Sequence, residues 1–229
     1  MHHDWADLRP PEAFPYPDFG VQVRGDLAVF TRPELTSERV SYPILTPPAA
    51  EGILSAVSWK PEIRWVITAI EVLAPVTWTT MRRNESGTAI TRSHQDQGYL
   101  DLDDAIQQRM TTLLRDVHYR IRANAWVHPD VDDQDAAKWR DMLQRRVRKG
   151  QSFRQPFLGM REFIADIFPD DDTPPIKWDE DLGIMSHRID YLPSGKEEYD
   201  WFEAKVVGGV MQVPRLGLLA QQRASLGAS

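Results

Sequence analysis

The chain has 229 residues, of which 41% are hydrophobic and 27% charged, with a formal net charge of -7 and no cysteine. That length supports one good core with at most a small appendage, and the missing thiols exclude disulfides and thiolate-held metal, as suits a reducing cytoplasm. The opening run MHHDWADLRPPEAFPYPDFG carries Asp4 and Asp7 and has no apolar h-region, so neither a signal peptide nor a membrane anchor is expected and the chain reads as cytoplasmic.

His2 and His3 lie in this Pro-rich leader and read as a disordered end rather than a metal site. Val21, Val23, Leu27 and Val29 alternate with polar or small residues, which predicts a strand over 21–31 with one buried face and Gly25 as a bulge. Thr46, two prolines and the apolar stripe Ala50, Ile53, Leu54 and Val57 predict a short capped helix. Residues 63–76 are β-branched and aromatic on both faces, as in an interior strand. Residues 86–106 are polar and without period, and are expected to be a long loop or flap.

The following segment is ambiguous at first, because Met110, Leu113 and Leu114 fit a helix. From Val117 to Val127 it alternates strictly, giving an oily face and a face with His118, Arg120 and Arg122. Residues 133–149 predict a second helix, with Ala136, Trp139, Leu143 and Val147 inward and Gly150 ending it. Strand-like runs follow in QPFLGMREFIADIF, GIMSHRIDYL and WFEAKVVGGVMQV, and the tail RLGLLAQQRASLGAS is expected to fray. The domains expected are 20–150, with an insertion near 86–106, and a β-rich part over 151–214. Residues 1–19 and 215–229 are left as extended or disordered tails.

Charge is sorted along the chain. From Lys138 to Arg161 there are eight Lys or Arg residues against the single acid Asp141. Such a concentration in an acidic protein suits a polyanion such as RNA. From Ala165 to Glu203, twelve acids face three bases, and this part reads as a solvated or protein-facing surface.

Four ordered runs, VRGDLAVFTRPE with ERVSYPILTPPAAEGIL, SWKPEIRW, VLAPVTWTTMRRNE, and KWRDMLQRRVRKGQSFRQPFLGMREF, resemble one family. They are similar to the fifth Cascade subunit of type I-C CRISPR systems, the Cas-five family in its d/c subtype. The resemblance covers roughly residues 20–214. It implies an α+β fold, a RAMP-type ferredoxin-like (RRM-like) domain with a small C-terminal antiparallel β domain. It also implies a subunit holding the 5' handle of CRISPR RNA beside Cas-seven, Cas-eight and Cas-eleven type subunits, meeting target DNA through that complex. No cofactor, no metal and no membrane is implied.

Members of this family resemble metal-independent endoribonucleases, whose active-site positions map by motif onto Ser58, Lys138 and Trp139. Of these only the lysine is retained. A Ser hydroxyl cannot act as a base unaided and an indole N–H does not titrate, so the acid-base positions are substituted. This leaves two readings open: an enzyme that processes precursor CRISPR RNA, or a structural subunit that caps the 5' handle. A third, a duplex-DNA binder or nuclease, ranks below both.

His118 is a further acid-base candidate because it titrates near neutrality beside Arg120 and Arg122, although a histidine on a basic strand more often meets phosphate or solvent. His94 stands likewise. Candidate RNA contacts are Arg82, Arg83, Arg120, Arg122, Arg145, Arg146, Lys149 and Arg161, with Gly150 and Gly159 letting backbone N–H groups approach phosphate. Tyr42 is the preferred stacking residue, whereas Trp59, Trp65 and Trp126 read as core.

Overall fold

The computed structural model describes residues 5, 8–35, 38–86, 106–191 and 195–227. The strands are β1 (Phe19–Ala28), β2 (Arg39–Val40), β3 (Ile63–Val72), β4 (Thr77–Ser86), β5 (Ile106–Val127), β6 (Asp166–Pro169), β7 (Glu180–Tyr191), β8 (Glu197–Val207) and β9 (Val210–Gln212), and the helices are α1 (Pro47–Val57), α2 (Ala136–Arg148) and α3 (Leu218–Gly227). One mostly antiparallel sheet runs in the order β6-β1-β5-β3-β9-β8-β7, with β2 and β4 paired to β5 outside that path. The protein is thus a mixed α and β fold. Among the described residues no helix is long and apolar enough to cross a membrane.

The alternation in the sequence sets which sheet face is buried. Val21 and Val23 of β1 and Tyr119, Ile121 and Ala123 of β5 join Ile53 and Leu54 of α1 and Leu143 and Val147 of α2 in one core. Each such fully buried aliphatic side chain contributes about 1.5–3 kcal/mol. Helix α1 begins where Thr46 is extended and Pro47 takes the first turn, whose N–H would lack a partner anyway. Helix α2 begins where the Asp135 carboxylate accepts from Ala137 N at 3.0 Å. It ends in a Schellman turn: Gly150, at φ 61°, donates to Val147 O at 3.0 Å, and Gln151 donates to Arg146 O at 2.9 Å.

Several expectations change. The stretch from 106 onward is a strand throughout, because β4 pairs with its first half from Thr77↔Arg115 to Ser86↔Ile106. The alternation therefore outweighs the helical spacing of Met110, Leu113 and Leu114. The sequence reading missed β4 itself. The flap expected between 86 and 106 lies, apart from its two paired ends, outside the described residues. Gly25 is no bulge, since the register continues evenly past it. A Cβ there would stand 2.2 Å from Leu158 Cδ1, so close packing explains the glycine.

The sheet also continues past residue 150, because β6 pairs with β1 and β9 pairs with β3. The C-terminal tail is not frayed over Leu218–Gly227. Asp200 accepts from Leu219 N at 2.9 Å and Ala220 N at 3.3 Å, which starts α3. The N-terminal segment is tied down as well, by Arg215 on Pro10 O at 2.8 Å and Arg188 on Leu8 O at 3.3 Å. Guanidinium groups bound to main-chain carbonyls supply what composition alone did not reveal.

Gly159 holds the turn after α2 against β1. Its φ is 84°, and an added Cβ would sit 1.7 Å from Val29 O. Gly159→Ala is expected to cost about 2–4 kcal/mol from the strained backbone and the clash. Urea unfolding measures it, and an unchanged midpoint would show that the turn moves freely away from β1.

Candidate nucleic-acid interface

The arginine face of β5 is already occupied. Arg120 is buried, and its guanidinium binds Glu71, Asp170, and the carbonyls of Asp171 and Thr173 at 2.6 and 2.8 Å. Arg122 binds Glu71 at 2.7 Å and Asp170 at 2.9 Å. The acidic run 170–172 folds over the polar face of the sheet rather than facing solvent alone. Asp171 is held at a pKa of about 2 by the Thr173 hydroxyl and N–H and by the Gln22 amide. A phosphate would have to displace these carboxylates, so Arg120 and Arg122 are corrected from RNA contacts to structural cations.

His118 lies on the same face, with Nε2 at 2.8 Å from Gln22 Oε1 and 3.1 Å from Arg24 Nε. Burial first, and then the Arg24 charge, hold its pKa below the ordinary histidine range. A neutral imidazole can accept a proton. It stands, however, on the sheet face opposite the apolar side chains that pack on α1 and α2, away from Lys138.

The cations at the end of α2 behave differently. Arg145, Arg148 and Lys149 are exposed, as is Arg154 just beyond them, and no carboxylate among the described residues pairs with any of the four. Arg146 is half-buried and donates to Val57 O at 2.8 Å, tying α2 to α1. Positive charge also suits a helix C-terminus, so part of this cluster stabilises α2 itself. The strand arginines and the helix cations therefore do not share one groove. Of these two groups, it is the helix end that offers charge to a ligand.

The remaining predicted contacts divide in the same way. Arg82 and Arg161 are exposed, whereas Arg83 is engaged by Glu162 and the Met160 sulfur. Gly159 approaches the Val29 carbonyl rather than lying open, while Gly150 has open space around it. Tyr42 is 1% exposed, donates its hydroxyl to Ile184 O at 3.2 Å and carries Arg32 over its ring. No face is left for a base, so Tyr42 is corrected to a core residue. Trp65 and Trp126 are buried, as expected, but Trp59 is exposed.

The three motif positions differ in access. Lys138 is exposed and donates to Asp133 at 2.9 Å, and that hydrogen bond and charge raise its pKa, so it is cationic at neutral pH. Ser58 and Trp139 are buried, and Ser58 Oγ, Trp139 Nε1 and Glu62 Oε2 lack a hydrogen-bond partner among the described residues. The charge of Glu62 also reaches Lys138. A carboxylate between two motif positions is legible in the sequence, but its reach to Lys138 follows only from the fold.

Comparison with known proteins adds to this geometry. Residues 20–201 match the family described as CRISPR-associated protein (Cas_Cas5). The chain is 40% identical over 212 residues to "CRISPR pre-crRNA endoribonuclease Cas5d" of Mannheimia succiniciproducens, covering 85% of this chain and 93% of that one. It is 40% identical over 166 residues to the protein of the same name from Thermus thermophilus, covering 72% and 70%. Among solved structures it resembles a CRISPR-associated protein with a TM-score of 0.64 and 24% identity, covering 89% of this chain and 95% of that one. It also resembles a functionally uncharacterized protein from Streptococcus mutans, with a TM-score of 0.61, 24% identity, and coverage of 86% and 93%. These two likenesses concern the fold.

Proposed function

We propose, from the premise that the chain belongs to the Cas5 family of CRISPR-associated proteins in its d/c subtype, that it grips the 5' handle of CRISPR RNA in a type I-C Cascade and cuts the precursor. The observation that carries the binding part is the unpaired charge of Arg145, Arg148 and Lys149 at the end of α2. A ferredoxin-like, RAMP-type reading is supported by the order β1-α1-β3-β5-α2-β6 in sequence and β6-β1-β5-β3 in space. Cas-seven, Cas-eight and Cas-eleven type subunits are its proposed cytoplasmic neighbours, and target DNA is met through them.

Cleavage without metal uses the adjacent 2'-hydroxyl. Its oxygen bonds to phosphorus, the bond to the 5'-oxygen breaks, one proton leaves the 2'-oxygen and another reaches the leaving oxygen. In this reading Lys138 stabilises the phosphoryl oxygens, which its exposure and its positive charge support. The names of the two relatives support this enzymatic reading. The burial of Ser58 and Trp139 favours the alternative, a subunit that caps the handle without cutting.

Incubating the protein with its repeat RNA in EDTA separates the two. The enzyme yields a 2',3'-cyclic phosphate end, and Lys138→Ala slows its formation about 100-fold while binding changes little. RNA that stays intact yet bound would establish the cap. Equal losses of binding and cutting in the variant would remove Lys138 from the chemistry.

A further inference from the structure

Two aromatic rings stand out in solvent beside the unpaired cations. Trp59 is 49% exposed and Phe153 59% exposed, and their rings stack with centroids 6.4 Å apart and planes inclined by 26°. Rings of this size normally bury themselves, so an exposed pair calls for an occupant.

The backbone around the pair is fixed by the end of α1. A helix leaves its last carbonyls without partners, and here those of Ala56, Val57 and Ser58 are taken. Ala56 O accepts from Phe153 N and Arg154 N, both at 2.9 Å, Val57 O accepts from Arg146 Nη1 at 2.8 Å, and Ser58 O accepts from the Trp65 indole at 2.9 Å. These bonds place the backbone beside Trp59 and Phe153 at the junction of α1 with the loop leaving α2. The Schellman turn at Gly150 fixes the other end of that loop. The rings are mounted on a rigid frame.

Charge says what the frame presents. Arg154 lies 5.8 Å from the centre of the Phe153 ring, and Arg148 and Lys149 stand at the near end of α2, none of them paired with a carboxylate among the described residues. Flat π faces with cations beside them suit an unpaired base and its flanking phosphates. A duplex keeps its bases stacked inside, so it would use the cations and leave the rings bare.

We infer that Trp59 and Phe153 form a stacking platform for an unpaired base of RNA, with Arg148, Lys149 and Arg154 on the adjoining phosphates. This rests on the RNA-binding reading above and adds where and how a base is held. Equilibrium binding should be measured for a single-stranded repeat RNA and for a fully abasic strand of the same length. Trp59→Ala and Phe153→Ala should each weaken the intact strand about 5- to 100-fold and the abasic strand less than about 2-fold, since both strands keep the phosphates that the cations hold. Trp59→Phe should retain most of the affinity. Variants that bind the intact strand as tightly as the parent would overturn the platform and leave the rings to a protein neighbour. Equal weakening of both strands would also overturn it. Failure of the parent protein to bind either strand at low salt would instead bring down the RNA-binding reading along with the platform.

Discussion

Arg120→Ala is expected to lower stability by about 3–5 kcal/mol, because it takes from the buried Glu71 the more deeply buried of its two cations and leaves it with the half-exposed Arg122 alone. Glu71 is only 8% exposed, and Asp170 leans on the same guanidinium. For a chain of this size the loss corresponds to roughly 10 °C or more in the thermal midpoint. The double variant Arg120→Met with Glu71→Leu should recover much of it, since it removes both buried members of the ionic group and leaves the more exposed Arg122 and Asp170 paired with each other. Circular dichroism melts of the parent, the single and the double variants test this. A single variant melting within a degree or two of the parent would mean that the carboxylates are hydrated and that the acidic run is no lid. Wherever Arg120→Ala remains folded, its RNA affinity should be close to that of the parent.

Reversing charge at Arg145, Arg148 and Lys149 together, to Glu, is expected to have the opposite profile. RNA affinity should fall by at least about 1,000-fold at moderate salt, because three charge-assisted phosphate contacts become repulsions. The slope of log affinity against log salt should shrink by about 2, near 0.7 per lost contact on a single strand. Folding should be touched only slightly, by about 0.3–1 kcal/mol per residue through the helix dipole. The neutral triple variant to Gln should show the same loss of slope with a smaller loss of affinity. A salt slope unchanged in both variants would remove the end of α2 from the interface.

The sequence carried the fold where one physical rule dominated. Alternation placed Val21, Val23, Tyr119 and Ile121 inward, and the spacing of Trp139, Leu143 and Val147 placed α2 against them. It failed where a rule needs a distant partner. β4 reads as polar sequence and is a strand only because β5 lies opposite it. Helix α3 depends on Asp200, whose carboxylate caps it.

The candidate site divides similarly. The excess of cations between Lys138 and Arg161 was visible as composition, and their exposed part at the end of α2 follows from helical spacing. Whether an arginine is free, however, depends on acids about 50 positions away in sequence, as Arg120 and Asp170 show. Trp59 looked like core from its apolar surroundings, while Tyr42 looked free because it lies in a loop. Their actual exposures are the reverse. Aromatic residues beside Gly and Pro turns carry no local signal of which side faces water.

The 22 residues of β5 form one strand in two halves that meet at Asp116, which is in the left-handed region at φ 53°. At about 3.3 Å per residue its contour length is some 73 Å, against a diameter of about 45 Å for a compact chain of this length. Its middle and far end are stitched to β1 and β3, while its first residues are held chiefly by β4. From Ile106 to Met110 the strand pairs with β4 and with no third strand among the described residues, so the two make a two-stranded arm. Because a pleated strand hardly stretches, a load applied at the outer end of that arm is delivered through Asp116 to the pairing of β5 with β1 and β3.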